Sequence, residues 1–290
     1  MKNKKSWPII LAFMAVLSLQ VSSSKPSYAE DFDNLISPIS NPVNFEDPRS
    51  LTEVRPIYVY HSIDDKFITQ GGSVQLWALQ LRYAIDDRLS VIATKDGYVV
   101  MKPDSVLNDE KGFANLAGGL KYAFYKDAAA GTIMSAGLRY EAPTGENEVL
   151  QGNGDGIINT FLSAATSSGK WNFMAGTGLR TPVNHNDSMF FDFDVHVDYD
   201  MGWFRPTFEL NLINVLNAGN RLPIADEGQD VFNIGSSLSD NKTMLTGGAG
   251  ARFILCDDLN VGATYQFPIA QGSGTYITDW RLTTDLIYSF

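Results

Sequence analysis

The chain has 290 residues, with 33 acidic against 22 basic side chains and a single cysteine, Cys256. An acidic excess argues against a nucleic-acid partner, and one cysteine excludes an intrachain disulfide. Mean hydropathy is −0.10, and beyond the N-terminus no apolar run reaches the length of a spanning helix, so any membrane crossing must be made by strands.

In chain order, residues 1–29 read as a secretory signal. MKNKK is a basic n-region, WPIILAFMAVLSLQV is an apolar stretch of 15 residues, and Ser27 and Ala29 stand at −3 and −1 of a cut after Ala29. The leader holds Lys2, Lys4, Lys5 and Lys25 and no acid, so the exported chain keeps 18 basic and 33 acidic residues, a net charge of −15. Residues 30–50, EDFDNLISPISNPVNFEDPRS, are rich in Pro, Asn, Ser and acid. Such a segment is expected to form a periplasmic arm, partly disordered. Phe32, Leu35, Ile36 and Phe45 offer a second arrangement, a plug folded back into a lumen.

From residue 51 to 290 the alternation of apolar and polar residues has period two, plainest in FDFDVHVDY, ELNLINVL and NVGATYQF. That period belongs to strands with one apolar face. The pattern predicts twelve strands: 52–62, 73–85, 89–98, 113–125, 130–141, 157–167, 170–181, 188–200, 203–213, 242–255, 259–268 and 277–290. Connections at 86–87, 126–129, 168–169, 201–202 and 256–258 are tight; those at 63–72, 99–112, 142–156, 182–187, 214–241 and 269–276 are longer. Short and long alternate throughout. A soluble sandwich has no reason to gather every long loop at one end, whereas a bacterial outer-membrane barrel does. The predicted fold is therefore all-β: a transmembrane antiparallel up-and-down β-barrel of about 12 strands, with short periplasmic turns and long external loops.

The chain ends in DWRLTTDLIYSF, with Leu282, Thr284, Leu286, Tyr288 and Phe290 on one parity. This resembles the C-terminal signature of outer-membrane proteins, in which a terminal Phe preceded by alternating hydrophobic residues is read by the barrel-assembly machinery. Thr284 departs from that pattern. The resemblance implies the assembly machinery and outer-membrane lipid as partners. Aromatic residues agree: Tyr83, Tyr122, Phe124, Trp171, Phe173, Tyr199, Phe204, Tyr288 and Phe290 gather near the short turns, and Tyr140, Phe191, Tyr265, Phe267 and Trp280 near the long loops, as two interfacial girdles require. A further stretch, GFANLAGGLKYAF with GLRYEAPTGE at 112–145, is similar to a hairpin of the small outer-membrane barrels grouped with phenol meta-pathway proteins, with Asn115 where that pattern has Asp. It implies a barrel of that superfamily and a role in passage of aromatic compounds. It carries over no functional residue.

Inward parity places charges in the lumen: Arg82, Lys121, Arg139, Arg180, Asp192, Asp194, His196, Asp198, Arg205, Glu209, Arg252, Arg281 and Asp285. A two-residue turn at Met201-Gly202 pairs residues whose numbers sum to 403, so Asp198 faces Arg205 and Asp194 faces Glu209. Two readings follow. The charges line a wet pore that sorts solutes by charge, or they pair into a network that fills and rigidifies the barrel. The arginine count is similar to that of twelve-stranded pores for acidic sugars; the opposing acids are not.

Hydrolytic chemistry needs a serine beside a histidine. His196 points inward, His185 lies in a loop, His61 at a strand end, and no serine has a convincing partner, so no enzyme is expected. Residues 151–159, QGNGDGIIN, echo a calcium loop, but Gln151 stands in the first ligand position and Leu162 in the last. No metal or cofactor is expected. Cys256 falls in a periplasmic turn as an unpaired bystander. The reading is an outer-membrane barrel acting as a passive channel for small solutes; the alternative is a structural or adhesive barrel with a filled lumen whose external loops, above all 214–241, bind a partner.

Deleting Phe290 should slow membrane insertion while export continues, because the last outward aromatic belongs to the assembly signature. Fractionation and heat-modifiable gel mobility measure this; unchanged outer-membrane levels would remove the assignment.

Overall fold

The computed structural model describes residues 32–290; the signal segment 1–29 and its cut lie outside them. The strands are β1 (Glu53–Ser62), β2 (Gly72–Ala84), β3 (Leu89–Lys95), β4 (Tyr98–Pro103), β5 (Glu110–Phe113), β6 (Leu116–Asp127) and β7 (Thr132–Ala142), followed by β8 (Ile157–Ser168), β9 (Trp171–Pro182), β10 (Met189–Tyr199), β11 (Phe204–Asn217), β12 (Thr243–Cys256), β13 (Leu259–Ala270) and β14 (Trp280–Ser289). All strand pairings are antiparallel, and β1 pairs with both β2 and β14, which closes the barrel. The seam reaches the chain end: Phe290 N–H donates to Thr52 O at 3.1 Å. Closure leaves no sheet edge in the hydrocarbon.

Fourteen segments make twelve staves. β2 pairs with β3 along its lower part and with β4 along its upper part, so β3 and β4 are one stave broken at Asp96-Gly97. β5 and β6 are the next, broken at Ala114-Asn115. Across the first break the Asp96 carboxylate accepts from Leu79 N–H at 2.8 Å, and Ala114 N–H donates to Gly97 O at 2.9 Å. The side chain thus replaces a missing ladder carbonyl. Here the predicted loop 99–112 is corrected: strand continues to Pro103 and resumes at Glu110. The cause is a change of phase. Ser90, Ile92 and Thr94 are buried below the break, and Val99, Met101 and Pro103 above it, so even positions point inward on one side and odd on the other. A reading that follows a single phase ends its strand at the bulge.

Elsewhere the alternation holds. On β10, Phe190, Asp192, Asp194, His196 and Asp198 are all buried. On the opposite parity Leu81, Leu120, Leu138 and Leu162 stand exposed around the outside, as a lipid-facing belt requires. Trp171 meets Tyr199 at 4.8 Å and Tyr288 meets Phe290 at 4.9 Å near the short turns; Tyr60, Trp280 and Tyr265 stack in series at 5.1 and 5.7 Å near the long loops.

The β10–β11 turn corrects the predicted register. Met201 N–H bonds to Phe204 O, Gly202 has φ +84°, and Asp198 lies opposite Thr207. The two central residues are therefore Gly202 and Trp203, and paired numbers sum to 405. Glycine takes the first central place, where a II′ turn needs positive φ. Moving the turn by one residue slides the pairing by two. Inward residues stay inward, but Glu209 faces His196 rather than Asp194, which faces Asn211.

Gly202 has open space around it, so substitution there should act through the backbone alone. Gly202→Val should lower the denaturant midpoint by an amount equal to about 1–2 kcal/mol, and Gly202→Asn by clearly less. Equal effects of both would place the turn elsewhere.

Candidate functional site in the barrel interior

The interior is layered. At the external end an apolar layer gathers inward side chains of the upper strands, including Val74, Met101, Phe190, Ile213, Val215 and Met244, around Phe232 and Ile234 of loop 218–242. At the short-turn end a smaller apolar layer joins Phe32, Leu35 and Phe45 to Ala123, Ile133, Ala165 and Met174. Between them lies the charged layer.

Residues 32–50 are not a free arm: they fold back on themselves inside the barrel. Phe45 N–H and Asn44 N–H both donate to Asn41 O and make the tip, while Ser37 Oγ donates to Asp47 and Arg49 donates to Leu35 O, which joins the two limbs. Phe32 lies beneath Lys126, and Ser50 Oγ donates to Asp86 O, so both limbs return to the short-turn end. Three prolines, Pro38, Pro42 and Pro48, prevent this hairpin from pairing as a strand. Its carbonyls are instead satisfied by the wall. Arg55 donates to Pro38 O at 2.6 Å, Arg252 to Ser37 O at 3.1 Å, Arg205 to Asn34 O at 2.5 Å, Gln80 to Pro42 O at 2.7 Å and Arg139 to Val43 O.

Its N–H groups find carboxylates. Glu209 accepts from Ile39 N–H at 2.8 Å and Ser40 N–H at 2.6 Å, and from His196 Nδ1 at 2.7 Å. His196 Nε2 lies 3.2 Å from Asp198. The hairpin also brings its own charge: Glu46 receives Arg82 through two bonds of 2.8 and 2.7 Å and Lys121 at 2.8 Å. The wall is shaped for it. A Cβ on Gly176 would fall 2.9 Å from the Phe45 ring.

The inward residues read from sequence all face this interior. Asp285 bridges Arg55 at 2.5 Å and Arg252 at 2.9 Å. Arg180 grips Asp192 through two bonds of 2.8 Å. Arg205 keeps its expected ion pair with Asp198 at 3.9 Å, although Thr207 and not Arg205 lies directly across, and it lies closer, 3.2 Å, to Asp200. Asp194 is held by Asn41 at 3.0 Å and Asn211 at 2.7 Å. Sequence reading missed Glu46, the hinge of the network, and missed Arg55 and Glu53, whose inward parity with Ile57 and His61 was available on β1.

From above, the tip of loop 218–242 enters the mouth. Arg180 donates to Gln229 O at 2.8 Å, and Arg281 binds Asp230 at 2.5 and 2.8 Å while its Nε donates to His61 at 3.0 Å. Leu282, Leu286, Tyr288 and Phe290 keep the outward parity of β14. Among the described residues no cluster of His, Cys, Asp and Glu suits a metal ion. A cavity of about 670 Å³ lies at the outer rim, lined in part by Tyr60, Ser62, Asp64, Lys102 and Asp279.

No family model and no curated protein matches the sequence. Solved structures do match the fold. The COG4313 outer membrane channel from Pseudomonas putida F1 is 16% identical with a TM-score of 0.59, covering 88% of this chain and 100% of that one. The NanC porin is 10% identical at 0.50, covering 82% and 98%, and the β domain of the Bordetella autotransporter BrkA is 14% identical at 0.50, covering 83% and 100%. The fold is that of the bacterial outer-membrane β-barrels.

Glu46→Ala leaves Lys121 without a carboxylate and Arg82 with Glu53 alone, a buried imbalance of about 3–5 kcal/mol. With Cys256→Ser as background, Ser40→Cys should resist a polar maleimide while Glu46 is present and react readily once it is replaced. Equal labelling in both would mean that the hairpin is not held by this network.

Proposed function

We propose that the protein is an outer-membrane channel for small solutes with apolar bodies, closed at rest from below by the hairpin 32–50 and from above by loop 218–242. One observation carries the reading: the external half of the lumen gathers inward aliphatic and aromatic side chains, with the ion pairs Arg180–Asp192 and Arg281–Asp230 set among them. The lumen of a water-filled porin is polar. An apolar inner wall at the mouth attracts solutes that partition out of water, at about 25 cal/mol per Å² of apolar surface removed from it. The likeness to outer-membrane channels supports the location, and the weak resemblance at 112–145 agrees with the solute class. Barrel lipid and the assembly machinery are its expected partners.

A second reading has its own support. The hairpin bonds about half of the lumenal charges, among them Arg82, Lys121, Asp194, Glu209 and Arg252, and an interior filled in that way also suits a structural barrel.

Planar-bilayer recording separates the two. The resting chain should conduct poorly. Removal of residues 32–48 should raise unitary conductance several-fold, while a disulfide between Ser40→Cys and Asn211→Cys, whose side chains now meet at 2.9 Å, should abolish current until reduced. A hairpin-deleted barrel that folds and still carries no current would leave the structural reading standing.

A further inference from the structure

Arg139 stands apart from the other basic groups of the interior. It is 1% exposed, yet among the described residues it has no carboxylate within 4.0 Å, whereas Arg55, Arg82, Lys121, Arg205, Arg252 and Arg281 each have one. Its charged neighbours are Glu46, Arg82, Asp192 and Glu141. Each of the three acids is taken: Glu46 by Arg82 and Lys121, Asp192 by Arg180, and Glu141 by Lys95. A buried guanidinium without its own counter-charge is costly, and such a group calls for an explanation.

The geometry supplies one. Nη1 is committed to Val43 O and, at 2.9 Å, to Thr94 Oγ1. Nε and Nη2 have no partner. These two form one edge of the guanidinium, with parallel N–H bonds that match the two oxygens of a carboxylate. The plane is fixed by the Phe161 ring, 4.8 Å away. Asn159 lies directly across on β8 and Arg180 across again on β9, which makes one row at one height. Gln229, tied to that row through its carbonyl, is fully buried with both side-chain amide atoms unpartnered. It adds a free N–H₂ donor beside the apolar layer, where Phe190 packs 4.1 Å from the Arg180 guanidinium.

We propose that the Nε–Nη2 edge of Arg139 seats the carboxylate of a small amphipathic acid whose apolar body lies against Phe161 and the outer apolar layer. The proposal rests on the channel reading above and gives its solute a charge. One uncompensated positive charge among already paired acids selects a monoanion over a dianion. Because Val43 of the hairpin sits on Nη1, hairpin and solute meet at the same side chain.

Titration calorimetry of the full chain with sodium benzoate, and with benzamide as its neutral isostere, tests the seat. Benzoate should bind saturably and benzamide at least about tenfold more weakly, as loss of a charge-assisted two-point contact implies. Arg139→Gln should weaken benzoate by about tenfold or more and leave benzamide unchanged; Arg139→Lys should fall between. Heat-modifiable mobility verifies that each variant is folded. The same titrations on the Glu46→Ala chain cover a seat hidden until the hairpin moves. Equal binding of benzoate and benzamide, or benzoate binding untouched by Arg139→Gln, or no Arg139-dependent binding in either background, overturns the proposal. Bilayer recording of the same preparations keeps the two readings apart: Arg139-dependent binding without current retains the seat and removes the channel, and current without such binding does the reverse.

Discussion

A backbone in hydrocarbon has no water to bond to, and everything else in this molecule depends on that constraint. It forces the ladder to close between β1 and β14. Closure fixes which side chains point out and which point in, because neighbours on a strand face opposite ways. The outward set answers to lipid and needs little beyond apolarity and two aromatic rings of positions. The inward set has no such freedom. Arginines, acids and two histidines meet at close quarters in a space that twelve staves leave narrow, and most of them find a partner of the right sign and geometry.

The hairpin answers that need with main chain as much as with charge. A proline-interrupted segment cannot satisfy its own carbonyls, and buried wall arginines cannot go unbonded; each supplies what the other lacks. Four guanidinium groups, those of Arg55, Arg139, Arg205 and Arg252, donate to carbonyls of residues 34–43. Glu209 does the converse, accepting two N–H groups at the same level. The interior thus carries most of its charge at mid-height, with an apolar cluster above and another below.

Most of the wall was legible from sequence because period-two alternation records lipid on one side and lumen on the other. It was legible to the level of parity: Asp192, Asp194, His196 and Asp198 all point inward as read. It was not legible to the level of partners. Parity is unchanged by a slide of two residues, so the place of Gly202 in its turn decided whether Glu209 met Asp194 or His196, and alternation is silent on that. The phase change at Asp96-Gly97 hid the outer part of one stave for a related reason, since a bulge breaks the periodicity by which strands are recognised. In residues 30–50, proline and acid give the composition of a disordered arm. Only the scattered Phe32, Leu35, Ile36 and Phe45 hinted at burial, and the donors that make the segment fit belong to strands far along the chain.

That separation along the chain has a kinetic side. The hairpin is synthesised first, yet Glu209, Arg252 and Asp285, which hold it and its surroundings, arrive last. Contacts that span most of the sequence form slowly, because a long loop must close before any of them is rewarded. Until β14 meets β1, the wall arginines and the hairpin carbonyls remain hydrated. A barrel that closed without its hairpin would trap water and unmatched charge where Ile39 and Glu46 now sit, and its strands would have reason to part again. The hairpin thus offers the late strands an internal surface, to which Glu209 and Arg252 bond.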